Sequence, residues 1–242
     1  MKTSTSALLL AAAAACALPA QAAEFTVSPV RIFMTPRDRA VAVTIINDGA
    51  DEIVMQADLY SWRQNPDGTD DLKVTEDLVL SPPILKVPPR SRQVVRLARL
   101  VPPPAADELT YRLIVREIPE ARPQPAGEVG LQLALAFSLP VFITPPGAKR
   151  SLSCELQRAS AESVRAVCDN NGRAYAQARR FELVSASGEP VAARESGGYI
   201  LPGVNRSFEI TRTAGRIPGG KFKLQVALDD GSAQAFEVSL PE

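Results

Sequence analysis

The chain contains no histidine. Without it there is no ordinary general base near neutral pH and no imidazole metal ligand, which removes Ser-His-Asp, Cys-His and His-based zinc chemistry together. Charge of neither sign is in surplus, with 27 Lys+Arg against 27 Asp+Glu. No excess of cations is present to displace phosphate counterions, so no nucleic-acid partner is expected. A Gly-rich phosphate loop and a C-x-x-C motif are both missing, so no nucleotide, no other cofactor and no thiol exchange are expected. The paired carboxylates Asp70-Asp71 and Asp229-Asp230 are sequence neighbours in turn-like segments, a pattern that marks loops rather than an acid–base pair. Aromatic residues are only 5% of the chain, with one tryptophan. Trp62 and Tyr60 are expected to pack at a strand end rather than to bind a ligand.

Long hydrophobic runs are also scarce. Ala7 to Leu18 is apolar, follows the basic start Met1-Lys2 and precedes the small-x-small site Ala20-Gln21-Ala22. These features predict a signal peptide over residues 1–22, export, and a mature chain starting near Ala23. Cys16 falls inside that segment, and Ala13 stands where a lipoprotein signal carries a bulkier aliphatic residue, so lipid anchoring is not expected. No later stretch approaches the roughly 20 apolar residues of a membrane span, and no membrane insertion of the mature chain is expected. Removing Lys2 leaves 26 basic residues against 27 acidic ones, a net charge of −1.

The remaining 220 or so residues suffice for two cores, and they read as all-β. Short apolar-alternating runs recur between turn signals, with no sustained helical period. In the first half, strands are expected near Phe25–Met34, Ala40–Asn47, Ile53–Trp62, Leu78–Ser81, Gln93–Leu100, Thr110–Ile118 and Leu131–Ile143. Seven strands of this kind predict an immunoglobulin-like sandwich over residues 23–145. Turns are expected at Asn47-Asp48-Gly49 and Asn65-Pro66-Asp67-Gly68, with a hinge at Thr144–Ala148. A second, smaller β-sandwich over residues 146–242 is expected from Ser151–Arg158, Ser163–Asp169, Ala176–Val184, Ser207–Thr211, Phe222–Leu228 and Gln234–Leu240. No internal self-similarity is evident between the halves. Cys154 shares parity with Leu152 and Leu156, and Cys168 with Val164 and Ala166. Both therefore point to the apolar face of neighbouring strands, where an exported protein forms a disulfide by default, two buried free thiols being the alternative.

One segment stands out. Leu131, Leu133, Leu135, Phe137, Leu139, Val141 and Ile143 occupy every odd position of a thirteen-residue run whose even positions are mostly small or polar. A long apolar strand at a sheet edge is an aggregation hazard, so its presence points to a partner.

The segment TYRLIVREIP (Thr110–Pro119), the Pro-rich loop behind it, the alternating strand Leu131–Ile143 and its Thr-Pro-Pro exit resemble the periplasmic chaperones of chaperone–usher pilus assembly. LSPPILKVPPRSRQVVRL is similar to that family's segment before its penultimate strands, and SPVRIF followed by VTIIND to its first two strands. The resemblance spans nearly the whole mature chain and is better in the first half. It implies two immunoglobulin-like β-sandwich domains set at an angle, location in the periplasm, and pilus or fimbrial subunits and an outer-membrane usher as partners. It also implies donor-strand complementation, in which the last strand of the first domain is lent to a subunit that lacks its own. On that basis Leu131, Leu133, Leu135 and Phe137 would be the donated side chains, with Leu139–Ile143 packed in the chaperone's own core. The family holds the subunit's terminal carboxylate on two basic residues. One carries over to Arg31 and the other falls on Pro140, a departure that marks a divergent, non-classical branch and turns attention to Arg112 as the second cation. An arginine can hold a carboxylate through two charge-assisted hydrogen bonds. A salt bridge or a solvated strand face is the structural alternative for Arg112. Arg90, Arg92, Arg96 and Arg99 read as a solvated face. An unoccupied edge also leaves a self-capping dimer open.

Two other classes compete. An exported immunoglobulin-like structural or adhesive protein, such as a pilus component, would be a single incomplete domain with a spare donor segment, whereas this chain has two domains and a full last strand. An enzyme on a β-sandwich would need a catalytic constellation that the chain does not offer.

Overall fold

The computed structural model describes residues 25–65, 67–104, 106–119, 134–212 and 215–241. Among them every regular element is a strand. The first half contributes β1 (Phe25–Ser28), β2 (Ile32–Met34), β3 (Ala40–Asn47), β4 (Ile53–Gln64), β5 (Asp70–Val74), β6 (Leu78–Ser81), β7 (Ile84–Val87), β8 (Ser91–Arg99), β9 (Leu109–Glu117) and β10 (Ala136–Ile143). The second contributes β11 (Leu152–Arg158), β12 (Ser163–Asn170), β13 (Ala176–Ser185), β14 (Pro190–Arg194), β15 (Gly198–Ile200), β16 (Asn205–Thr211), β17 (Gly220–Leu228) and β18 (Ala233–Leu240).

In the first sandwich one sheet runs β1-β3-β8-β6 and the other β2-β10-β9-β4-β5, with β7 also paired to β4. The expected single strand Phe25–Met34 is two strands. At Pro29 to Arg31 the chain crosses from one sheet to the other, because proline cannot donate to a ladder and the segment must serve both sheets. Alternation then does what its period demands. Val43 and Ile45, Ala57 and Leu59, Val95 and Leu97, Leu113 and Val115, and Leu139 with Val141 and Ile143 all point into one shared core. β5 and β7 were not anticipated; their short mixed sequences lack a clean period of two.

The second sandwich stacks a sheet of order β11-β12-β16 on one of order β14-β13-β17-β18, with β15 paired to β13. Phe181, Leu183, Phe208, Ile210, Leu224 and Val226 fill its core. Cys154 and Cys168 lie directly opposite each other on β11 and β12 and form a disulfide, consistent with their shared apolar parity.

Candidate functional site: the joint between the sandwiches and the edge of β10

The second sheet of the first sandwich meets the five-stranded sheet of the second at a cluster of aromatic rings. Phe142, on an even position of β10, is fully buried, and its ring stacks on Tyr175 at 4.0 Å between centroids. Trp62, from β4, packs edge-on against Tyr199 of β15 at 5.3 Å. Phe33 stacks near both Phe142 and Tyr175 yet remains half exposed at the rim. Five of the chain's few aromatics are therefore spent on this joint. The even positions of this strand are mostly small or polar. Pro140 and Phe142 are nevertheless buried, because the second sandwich covers that face.

Polar ties surround the rings. Glu108, just before β9, is buried; its Oε1 accepts the Tyr175 backbone N–H at 2.9 Å and its Oε2 the Thr144 hydroxyl at 2.6 Å. Burial pushes its carboxyl above the usual range, against the pull of those two hydrogen bonds. Gln64 accepts the Leu201 N–H through Oε1 at 3.0 Å. The β4–β5 turn fits against Arg206: a side chain at Gly68 would meet Arg206 Nε at 2.9 Å, and φ there is +86°. The left-handed backbone favours glycine at that tip, while the Arg206 side chain could shift to admit a Cβ.

Arg31 and Arg112 both stand at this joint. Arg31 lies in the crossover between β1 and β2, and its Nη1 donates to Asp229 Oδ2 at 2.5 Å and to Gln177 Oε1 at 3.0 Å, both in the second sandwich. Burial is the largest single influence and acts to lower its pKa, but the bond to Asp229 together with the electrostatic contributions of Tyr175, Tyr199 and Asp229 outweighs it, and the guanidinium is held above its ordinary value. Arg112 is directly opposite Pro140 across the β9–β10 ladder. Cross-strand partners share a face, so an arginine projects beside the position where a lysine was expected and a proline stands. Its guanidinium lies 3.6 Å from the centroid of Trp62 and 5.6 Å from that of Tyr199, with Asp70 Oδ2 at 3.3 Å. Desolvation lowers its pKa, opposed by Asp70. A desolvated cation over an indole face is worth on the order of 2 kcal/mol. Tyr199 sits within electrostatic reach of both arginines; burial raises its pKa and the two cations counter it.

The second part of the site is the outer half of β10. On one side β10 pairs with β9 along Ala136–Ile143, and on the other it runs parallel to β2 through Val141–Ile143 only. Among the described residues no strand pairs with the β2-facing edge of Ala136–Pro140. Leu135 is 39% exposed, its carbonyl accepting the Glu117 N–H at 2.9 Å. Phe137 is half buried, its ring edge-on to Phe25 at 5.2 Å and packed on the first core. Leu131 and Leu133 lie outside the described residues.

Sequence reasoning thus named Arg31 and Arg112 but missed Glu108, Tyr175, Gln177, Tyr199 and Asp229 around them. Phe142, a bulky ring among small even-position residues, was the one signal that this face is covered. Asp70-Asp71 open strand β5 rather than lying in a loop, whereas Asp229-Asp230 form a turn, and the members of each pair take different partners. Asp70 pairs with Arg112 and Asp71 with Lys73, while Asp229 pairs with Arg31 and Asp230 with Arg150. In the basic run Arg90, Arg92 and Arg96 are solvated, but Arg99 turns in to donate to the carbonyls of Val101 and Pro36.

Residues 24–149 match the family model described as pili and flagellar-assembly chaperone, PapD N-terminal domain. Among solved structures, the chain is similar to the chaperone–tip adhesion subunit pre-assembly complex CsuC–CsuE from the archaic chaperone–usher Csu pili of Acinetobacter baumannii. The TM-score is 0.65 at 20% identity, over 90% of this chain and 99% of that one. It is also similar to the E. coli chaperone DraB, with TM-score 0.56 at 24% identity over 90% and 96% of the two chains. The Salmonella enterica complex of SafA pilin with the SafB chaperone gives 0.61 at 13% identity over 91% and 98%. These likenesses show the fold, two immunoglobulin-like β-sandwiches. No curated protein sequence matches the chain.

Proposed function

The chain belongs to the family of pili and flagellar-assembly chaperones, and from that premise we propose that it binds, folds and caps pilus or fimbrial subunits by donor-strand complementation and passes them to an outer-membrane usher. The observation that carries this reading is that, among the described residues, no strand pairs with the outer edge of Ala136–Pro140. Backbone groups there can form a ladder with a subunit whatever its sequence, while alternate side chains fill pockets in its groove. Leu131, Leu133 and Leu135 are the donated side chains, and the half-buried Phe137 borders them. Proline lacks a backbone donor, so the lent stretch centres before Pro140. Arg31 and Arg112 are the anchors for the subunit's terminal carboxylate. Phe33, exposed at the rim beside Arg31, gives that end an apolar shelf.

The work is done in the periplasm after cleavage of residues 1–22, by a domain of residues 23–145 carrying the site and one of residues 146–242 closing the cleft. No catalysis and no cofactor are involved. Co-expression with pilus subunits encoded beside this gene, followed by isolation from the periplasm, tests the reading. At least one subunit is expected to co-purify, and failure of all of them would overturn it. Leu133→Glu is expected to abolish capture by placing a charge in an apolar groove, and Arg31→Ala to lower subunit recovery.

A further inference from the structure

The anchor arginine is already occupied. Arg31 Nη1 gives both of its hydrogens to the second sandwich, one to Asp229 Oδ2 and one to Gln177 Oε1. Asp229 is built for that contact. Its side chain is only 8% exposed, it accepts a second hydrogen bond from the Tyr175 hydroxyl at 3.1 Å, and its backbone N–H donates to the Gln177 carbonyl at 3.1 Å. One residue, Gln177, thereby fixes the acid through its backbone and the guanidinium through its side chain.

A subunit's terminal carboxylate arriving at Arg31 would place two like charges on one cation. Such pairs repel within a few ångströms, so each weakens the other's hold on the guanidinium. Asp229 also lines a cavity of about 500 Å³ whose wall includes Lys149 and Arg150. Glu108 and Asp230 share that lining and Arg150 is paired with Asp230, so Lys149 is the cation toward which an acid released from Arg31 can turn.

We propose that Asp229 is a resident stand-in for the subunit's terminus, and that capture proceeds by exchange of one carboxylate for another on Arg31. Because Arg31 and Asp229 belong to different sandwiches, the exchange also releases one tie across the joint. This rests on the assignment of Arg31 as an anchor. An internal carboxylate competes at an effective concentration in the millimolar range or above. Affinity for the external one falls by the fraction of time the guanidinium is free.

The test measures binding of the co-purifying subunit to the full-length mature chaperone as wild type, Asp229→Asn, Arg31→Ala and the double variant. Asp229→Asn keeps the shape and can still accept from Tyr175, and it is expected to bind about fivefold or more tightly than wild type. In the Arg31→Ala background the same change is expected to have no effect, an outcome that a merely structural role for Asp229 would not give. If Asp229→Asn fails to fold, Asp229→Ser carries the same expectation. Unchanged or weaker binding by the Asp229 variant, with Arg31→Ala impaired, would overturn the exchange and leave the anchor standing. Undiminished binding by Arg31→Ala would overturn both.

Discussion

The last strand of each sandwich has a free edge, along the whole of β18 and along only the first part of β10 among the described residues, and the two are treated in opposite ways. β18 pairs only with β17. Its exposed positions are Ala233, Ala235, Glu237 and Ser239, with Glu237 held near Lys223 at 3.5 Å. Small side chains and a charge give another strand little to bury, the usual protection against unwanted pairing. From Leu131 to Ile143, by contrast, there is no charged residue. Among the described residues, only the last part of β10 is covered on its outer side, by β2 and by the second sandwich. One edge is closed to partners and the other is left open, and the open one lies beside the two arginines.

The sandwiches nevertheless share a device. Asn47 ends β3 and Asn170 ends β12; both are 1% exposed, and both open an Asn-x-Gly turn. Asn47 donates through Nδ2 to the Asp51, Val87 and Pro88 carbonyls and accepts the Gly49 N–H. Asn170 donates to the Ala174 and Ile200 carbonyls and accepts the Ser151 and Gly172 N–H groups. A similarity absent from the sequence comparison of the halves is therefore present as a side-chain pin between a strand end and its neighbouring segments.

The comparison can be broken at graded cost. Replacing Cys154 and Cys168 by alanine opens a 14-residue link that only the second sandwich has, and is expected to cost about 3 kcal/mol in chain entropy. Calorimetry should show the loss in the second sandwich while the first keeps its midpoint; equal losses in both would mean that they unfold as one unit. Next, Asn47→Ala and Asn170→Ala each strand buried carbonyls and are expected to cost about 2 kcal/mol. Denaturant titrations giving losses more than about 1 kcal/mol apart would show that the pins are not equivalent. Smallest in stability, but decisive for function, is a charge on each edge. Leu135→Glu is expected to reduce subunit capture at least tenfold, about 1.4 kcal/mol, with a midpoint unchanged within about 0.5 kcal/mol. Ala235→Glu is expected to change neither quantity, and weakened capture by it would mean that the subunit reaches the second edge as well.

How much of this was legible in the sequence follows from what each part depends on. Strands with a clean period of two, such as β3, β4 and β9, were readable because burial on one face is a local constraint. β5, β7, β14 and β15 are short and polar or mixed, and exist because a neighbouring strand offers a ladder. The disulfide was readable from parity and export. Arg31 and Arg112 were named, the latter because Pro140 displaced the expected lysine, and the β9–β10 register sets it opposite that proline. The surrounding acids and rings were not, because Glu108, Tyr175, Tyr199 and Asp229 acquire their roles only when two separately folded sheets meet. No periodicity within one segment encodes that meeting.

The aromatic joint also has an optical consequence. Trp62 is the chain's only tryptophan, it is buried, and it lies against the Arg112 guanidinium on one face and Tyr199 at its edge. Its emission therefore reports on one place, the seam between the sandwiches, with no second indole to dilute the signal. The wild-type protein carries its own intrinsic fluorophore beside Arg112, in the same seam that the Arg31–Asp229 tie crosses, so a change at that seam can be followed without a label.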